Sequence, residues 1–145
     1  MTRYEELAYL FGSDHLKECC DFANFLADKL AEYLECERSE INFVKKQSSI
    51  DYPYIRQQEC NISVVYKHQG FVYMTIAIIL PDEPLSGSQV QSLIRLRKVQ
   101  HEFQVQIENR YSETHVVRQD NREALYILYE SLFNSFINTD AWLHL

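Results

Sequence analysis

Residues 61–80 read NISVVYKHQGFVYMTIAIIL, and this stretch decides the fold. Both ends are rich in β-branched and aromatic side chains, which suit a pleated strand, and His68-Gln69-Gly70 between them carries turn chemistry. Two strands joined by so short a loop must run antiparallel. The stretch therefore predicts a hairpin, Asn61 to Lys67 against Phe71 to Leu80, with an antiparallel sheet around it. Pro81-Asp82-Glu83-Pro84 predicts the end of the second strand, because proline supplies no ladder donor. Upstream, Ile41 to Lys45 reads as a short strand, and the polar run Gln47 to Glu59, which holds Pro53, as an irregular connection.

Further toward the N-terminus, Thr2 to Phe11 reads as a short helix ended by Gly12. Ser13 or Asp14 is then suited to cap a long helix, whose apolar positions Leu16, Cys20, Ala23, Ala27, Leu30 and Leu34 step by three or four. Its end is expected near Cys36 to Arg38. Toward the C-terminus, Ser88 and Gln91 form a capping-box pattern that favours a helix from Ser88 to about Val99. A strand competes there, since Leu93, Arg95, Arg97 and Val99 alternate with Ile94, Leu96 and Lys98; the helix is the expectation. Phe103, Val105 and Ile107 alternate with Gln104, Gln106 and Glu108, the mark of a strand with one wet face. Tyr111 to Arg118 is its expected antiparallel partner across Asn109-Arg110. Asp120 and Glu123 open a last helix with the stripe Leu125, Leu128, Tyr129, Leu132, Phe133 and Phe136. Trp142, Leu143 and Leu145 make an apolar tail that either docks on the core or offers a contact surface. The expected class is α+β: a mostly antiparallel five-stranded sheet with a long N-terminal helix, a middle helix and a C-terminal helix (α-β-β-β-α-β-β-α).

Composition narrows the function. The 145 residues suit one domain, residues 1–145, and the hydrophobic fraction of 46% is too high for a disordered chain. The longest apolar run, Phe71 to Leu80, is about half of the roughly 20 residues a membrane helix needs. Residues 1–20 contain acids and lack a basic start followed by an apolar core, so no signal peptide is expected. Cys19, Cys20, Cys36 and Cys60 show no regular framework, and adjacent Cys19 and Cys20 are poorly placed for a mutual bond. Four reduced thiols and a cytoplasmic protein are expected. The net charge is −7, and residues 1–40 carry four basic against ten acidic residues. An acidic end argues against nucleic acid, whose affinity rests on Lys and Arg at phosphates.

Few residues suggest chemistry. His15 and Cys19 stand at i and i+4 on a helix, but zinc needs three or four ligands and no second pair follows, so no metal or other cofactor is expected. A surface histidine beside a small buried thiol explains that pair. Asp51, Glu59 and Lys67 are the set a metal-dependent nuclease would use, and scattered surface charge accounts for them equally. Cys60 has local support from none of His68, His101 or His115 as a base. Gly12, Gly70 and Gly87 are too dispersed for a phosphate cradle. Arg95, Arg97 and Lys98, expected on a helix, span more than one of its faces. They either solvate that helix or meet an acidic partner, such as the long helix of a second copy. A small enzyme assembled around Tyr111, Glu113 and His115, which would share one strand face, is the alternative reading.

The long helix departs furthest from background. Asp14, Glu18, Asp21, Asp28, Glu32 and Glu35 fall within one arc opposite the apolar stripe. Phe25 projects from the middle of that arc, with Phe22 and Tyr33 flanking the same side. An apolar ring with a charged rim is the pattern of a protein-contact surface. Phe22, Phe25, Asp21, Asp28, Glu32 and Tyr33 are therefore the expected partner-binding residues of a non-catalytic module, chaperone-like or inhibitor-like, with a protein partner and possible homodimerisation.

The element order helix–β–β–β–helix–β–β–helix over about Ser13 to Asn138, together with the size and acidity, resembles the type III secretion chaperone fold. That resemblance implies a bacterial, cytosolic dimer that holds an extended segment of a client protein. It implies a dimer interface near Ser88 to Val99 and Phe103 to Glu108, with the sheet and the long helix facing the client.

Overall fold

The computed structural model describes residues 2–45, 62, 65–80, 89–108 and 113–138. Two helices come first, α1 (Arg3–Leu10) and α2 (Ser13–Leu34), then a single 3-10 turn at Arg38–Glu40. Six strands follow: β1 (Ile41–Val44), β2 (Tyr66–His68), β3 (Phe71–Ile79), β4 (Gln89–Val99), β5 (Glu102–Ile107) and β6 (His115–Val117). The last described element is α3 (Arg122–Ile137). Every strand pairing is antiparallel, in the order β1-β3-β4-β5-β6, with β2 on the same edge of β3 as β1. The α+β class and the antiparallel sheet stand as expected.

The hairpin folds for the reason its sequence suggests. His68 pairs with Phe71, leaving Gln69 and Gly70 as a two-residue turn with φ of 54° and 80°. Positive φ at both positions gives the turn whose twist matches the flanking strands, and Gly70 adopts it without a Cβ penalty. Thr2 caps α1 through a reciprocal capping box with Glu5. At α2 the expected cap fails, because Gly12 occupies that position and no side chain bonds the first turn. At α3 the cap is Asn121, which accepts from the Ala124 N–H, one residue beyond the expected Asp120. Gln47 to Glu59, Pro81 to Ser88, Asn109-Arg110 and the Trp142–Leu145 tail lie outside the described residues.

One expectation is overturned. Residues 89–99 are strand, not the middle helix, and they form β4, between β3 and β5 in the sheet. Its apolar spacing fits both periods, so local pattern does not separate them. Two ladders do: β4 pairs with β3 from Gln89 to Leu96 and with β5 from Ile94 to Val99. Alternation then serves both faces, with Ile94 and Leu96 buried under the helices and Arg95 and Arg97 on the opposite side. The observed order thus lacks the middle helix of the order that resembles the secretion chaperones.

The main core joins α2 and α3 to one face of the sheet, drawing Leu26 and Leu30 onto Met74, Ile76, Ile94 and Val105, and Leu128 and Leu132 beside them. On the other face Tyr66 and Tyr73 stack with ring centroids 4.8 Å apart, and Leu93 completes a small cluster. There the Arg95 and Arg97 guanidiniums lie 4.3 Å and 4.5 Å from the Phe71 ring centre. Gln106 and Gln104 accept from them at 2.7 Å and 2.8 Å. Those two arginines are therefore strand residues committed to their own sheet, not charges on a helix awaiting an acidic partner.

Candidate functional site

The six residues expected at a contact separate into different environments. Phe22 is core, not surface: its relative exposure is 0%, and it stacks on Phe103 with centroids 3.9 Å apart and planes 6° from parallel. Its place on the flank of α2 turns it toward β5, a contact between positions 81 residues apart. Phe25 is half-buried, 6.0 Å from the Phe22 ring, with Lys29 Nζ 6.0 Å above its centre. Asp21 is exposed. Asp28 accepts from Arg38 Nε at 2.8 Å, and Glu32 pairs with Lys29 at 3.3 Å. Tyr33 donates its hydroxyl to the Glu130 carboxylate on α3. Asp28 and Glu32 are thus tied to basic groups, which holds the side chains in place more than it adds stability, since such exposed pairs contribute about 0–1 kcal/mol.

A groove of about 520 Å³ runs beside this side of α2. Glu18, Asp21 and Phe22 form one wall, Lys98, His101 and Phe103 the other, and residues 118–120 close the end. Glu18 meets Lys98 Nζ at 2.9 Å and accepts the Tyr9 hydroxyl from α1. Burial pushes the Glu18 carboxyl up, but the hydrogen bonds from Tyr9 and Lys98 outweigh it and hold the carboxyl below its ordinary range. Lys98, expected as a free cation, is therefore the internal partner of α2. This link joins residues 80 positions apart, and the only signal for it was one lysine breaking the inward alternation of β4.

The histidine–cysteine pair differs from its expectation. His15 is buried at 0% exposure, not on the surface, and its Nε2 accepts the Lys98 backbone N–H at 2.9 Å. That bond assigns the ring proton to Nδ1. Cys19 Sγ stands 3.4 Å from the same nitrogen. Burial, then the nearby Lys67 charge, lower the imidazole to about 4, and burial raises the thiol to about 12. At neutral pH both are uncharged, whereas a thiol nucleophile needs a thiolate with a base beside it. Among the described residues no group of three or more His, Cys, Asp or Glu is arranged to hold a metal ion.

Of the alternative set around β6, His115 begins the strand and turns to the core face opposite Val105, Glu113 lies before the strand, and Tyr111 is outside the described residues. Burial lowers the His115 imidazole, against a smaller opposing effect of Glu113. Of the nuclease set, Asp51 and Glu59 lie outside the described residues, as does Cys60, while Lys67 Nζ donates to the Phe11 carbonyl at 3.2 Å. Cys19 and Cys36 are free thiols, but Cys20 is disulfide-bonded to a partner outside the described residues. The expectation of four reduced thiols fails at Cys20.

A helix-covered antiparallel sheet with a mixed-charge groove along its longest helix defines the class of this protein, an α+β fold. No family model, no curated protein and no solved structure matches the chain. Among the described residues no helix is long and apolar enough to cross a membrane.

Proposed function

We propose that this chain is a non-catalytic protein-binding module, chaperone-like or inhibitor-like, that takes its partner on the outer side of α2 and in the groove beside it. The observation that supports this most is Phe25, a half-buried ring between Asp21 and Asp28 on a helix whose inner side is fully packed. Covering the rest of a phenylalanine side chain gains a share of the roughly 1.5–3 kcal/mol of full burial. The carboxylates around it guide approach more than they hold. An extended client segment as partner rests on the resemblance to type III secretion chaperones, with the strand at residues 89–99 in place of their middle helix weighing against it. Cytoplasmic residence is proposed on the free thiols of Cys19 and Cys36, with the Cys20 disulfide weighing against it.

The test begins with immobilised protein and native lysate, followed by mass spectrometry of what is retained. The retained protein is then purified and its affinity measured directly. Phe25→Ala is expected to keep the unfolding midpoint and weaken affinity about tenfold, the equivalent of about 1.4 kcal/mol. Asp21→Lys is expected to slow association at low salt and leave residence time nearly unchanged. Equal affinity of Phe25→Ala and the parent chain would sink the reading.

A further inference from the structure

The outer side of α3 is the reverse of α2 in chemistry. Tyr126, Ile127, Phe133 and Ile137 are exposed at 57%, 52%, 41% and 47%. Tyr126, Glu130, Phe133 and Ile137 follow one another by four, three and four residues, so they form one stripe about 16 Å long. Its three apolar side chains, Tyr126, Phe133 and Ile137, leave roughly 300 Å² open, a size at which a patch on a monomer is often functional. A standard interface buries about 800 Å² on each partner, of which roughly 57% is apolar, so the stripe supplies about two-thirds of the apolar share of one.

We propose that this stripe is the contact between two copies of the chain, with the two α3 helices antiparallel about a two-fold axis between Glu130 and Phe133. Charge selects a second copy and this place. The chain carries −7, with ten of its acids in the first 40 residues, so two copies approach with least repulsion away from α1 and α2. Helix α3 holds only Arg122, Glu123 and Glu130 as charged residues. Glu130 lies on the stripe, and its carboxylate already accepts the Tyr33 hydroxyl, which lowers the cost of covering it. Antiparallel pairing about that axis sets Tyr126 of one copy against Ile137 of the other, so the patch complements itself as an isologous contact requires. The contact leaves Phe25 and the groove uncovered, although Tyr33 of α2 reaches Glu130 at its centre, and its failure leaves the reading at Phe25 standing.

Sedimentation equilibrium of the full chain over a wide concentration range is the test. A monomer–dimer equilibrium is expected, and Phe133→Glu raises its dissociation constant about 100-fold, because it sets a second carboxylate against Glu130 of the other copy at the centre of the contact. The control is Leu7→Arg on α1, whose Tyr4, Leu7 and Phe11 are also exposed; it leaves the dimer unchanged. Mixed Tyr126→Cys and Ile137→Cys chains give a 126–137 cross-link on mild oxidation, identified by mass spectrometry. A chain that stays monomeric throughout, a dimer indifferent to Phe133→Glu, or one abolished by Leu7→Arg overturns the proposal.

Discussion

Helices α2 and α3 pack against the same face of one sheet, yet they spend their outer sides in opposite ways. On α2 the outer arc is acidic, and three of its carboxylates, Glu32, Asp28 and Glu18, are answered by Lys29, Arg38 and Lys98. On α3 the outer arc is apolar and nearly uncharged. Their inner sides differ as well. The core side of α2 holds a titratable ring, His15, with one nitrogen satisfied by a backbone N–H of β4. The core side of α3 holds Tyr129, whose buried hydroxyl has no hydrogen-bond partner among the described residues and whose ionisation is pushed up by burial. A shared position in the fold therefore does not imply a shared role: α2 couples to the sheet and to charge, α3 to apolar contact.

The sharpest way to break this comparison is to truncate an aromatic on each helix. Phe22→Ala removes the ring stacked on Phe103 and is expected to cost about 3–5 kcal/mol in denaturant unfolding. Phe133→Ala, on the open side of α3, is expected to change the stability of the monomer by less than about 1 kcal/mol. Equal costs would mean that the two outer arcs are not distinct.

Acid separates the helices next. His15 is lowered to about 4 in the fold from its ordinary 6.5, so its contribution is complete above pH 6.5 and is lost as pH falls toward 4. The loss between those values is on the order of 3 kcal/mol. Charged and titratable neighbours from each packed element act on this ring: Tyr9 from α1, Glu18 and Cys19 from α2, Lys67 from β2, Arg97 and Lys98 from β4. Chain stability measured at several pH values should therefore fall between pH 6.5 and 4, and His15→Gln should flatten most of that slope while lowering stability at pH 7. Tyr129 on α3 has the opposite sign and range, since its contribution is lost only as pH rises above 10. An unchanged acid slope in His15→Gln would remove the ring from the account.

The smallest effect sharpens the end of α2. Glu35 closes that helix in the left-handed region, with φ 57° and ψ 46°. A side chain there costs about 1 kcal/mol that glycine avoids, so Glu35→Gly is expected to raise stability by up to that amount despite greater freedom in the unfolded chain. A lower unfolding midpoint would mean that the glutamate makes a compensating contact.

Particular residues show how far local pattern reaches. The β2–β3 hairpin was legible because its turn residues and its strands lie within 20 positions. Strand β5 was legible because Phe103, Val105 and Ile107 are buried in strict alternation. Strand β4 was misread because a capping-box pattern favoured helix while both its deciding ladders lie elsewhere in the chain. In the candidate site, Phe22 and Phe25 are the same residue type one helical turn apart. Only the position of Phe103 makes one of them core and leaves the other at the rim.

The amino-acid sequence by itself determined the helical stripes, the hairpin with its left-handed turn, and the concentration of acid in the first 40 residues, because each depends on periodicity, turn chemistry or charge within a few neighbours. Tertiary structure alone decided that residues 89–99 are a strand, that His15 is buried and neutral, and that Lys98 answers Glu18. The physical reason is reach: these outcomes depend on ladders, desolvation and ion pairs formed with partners brought close only by folding, up to 83 positions away.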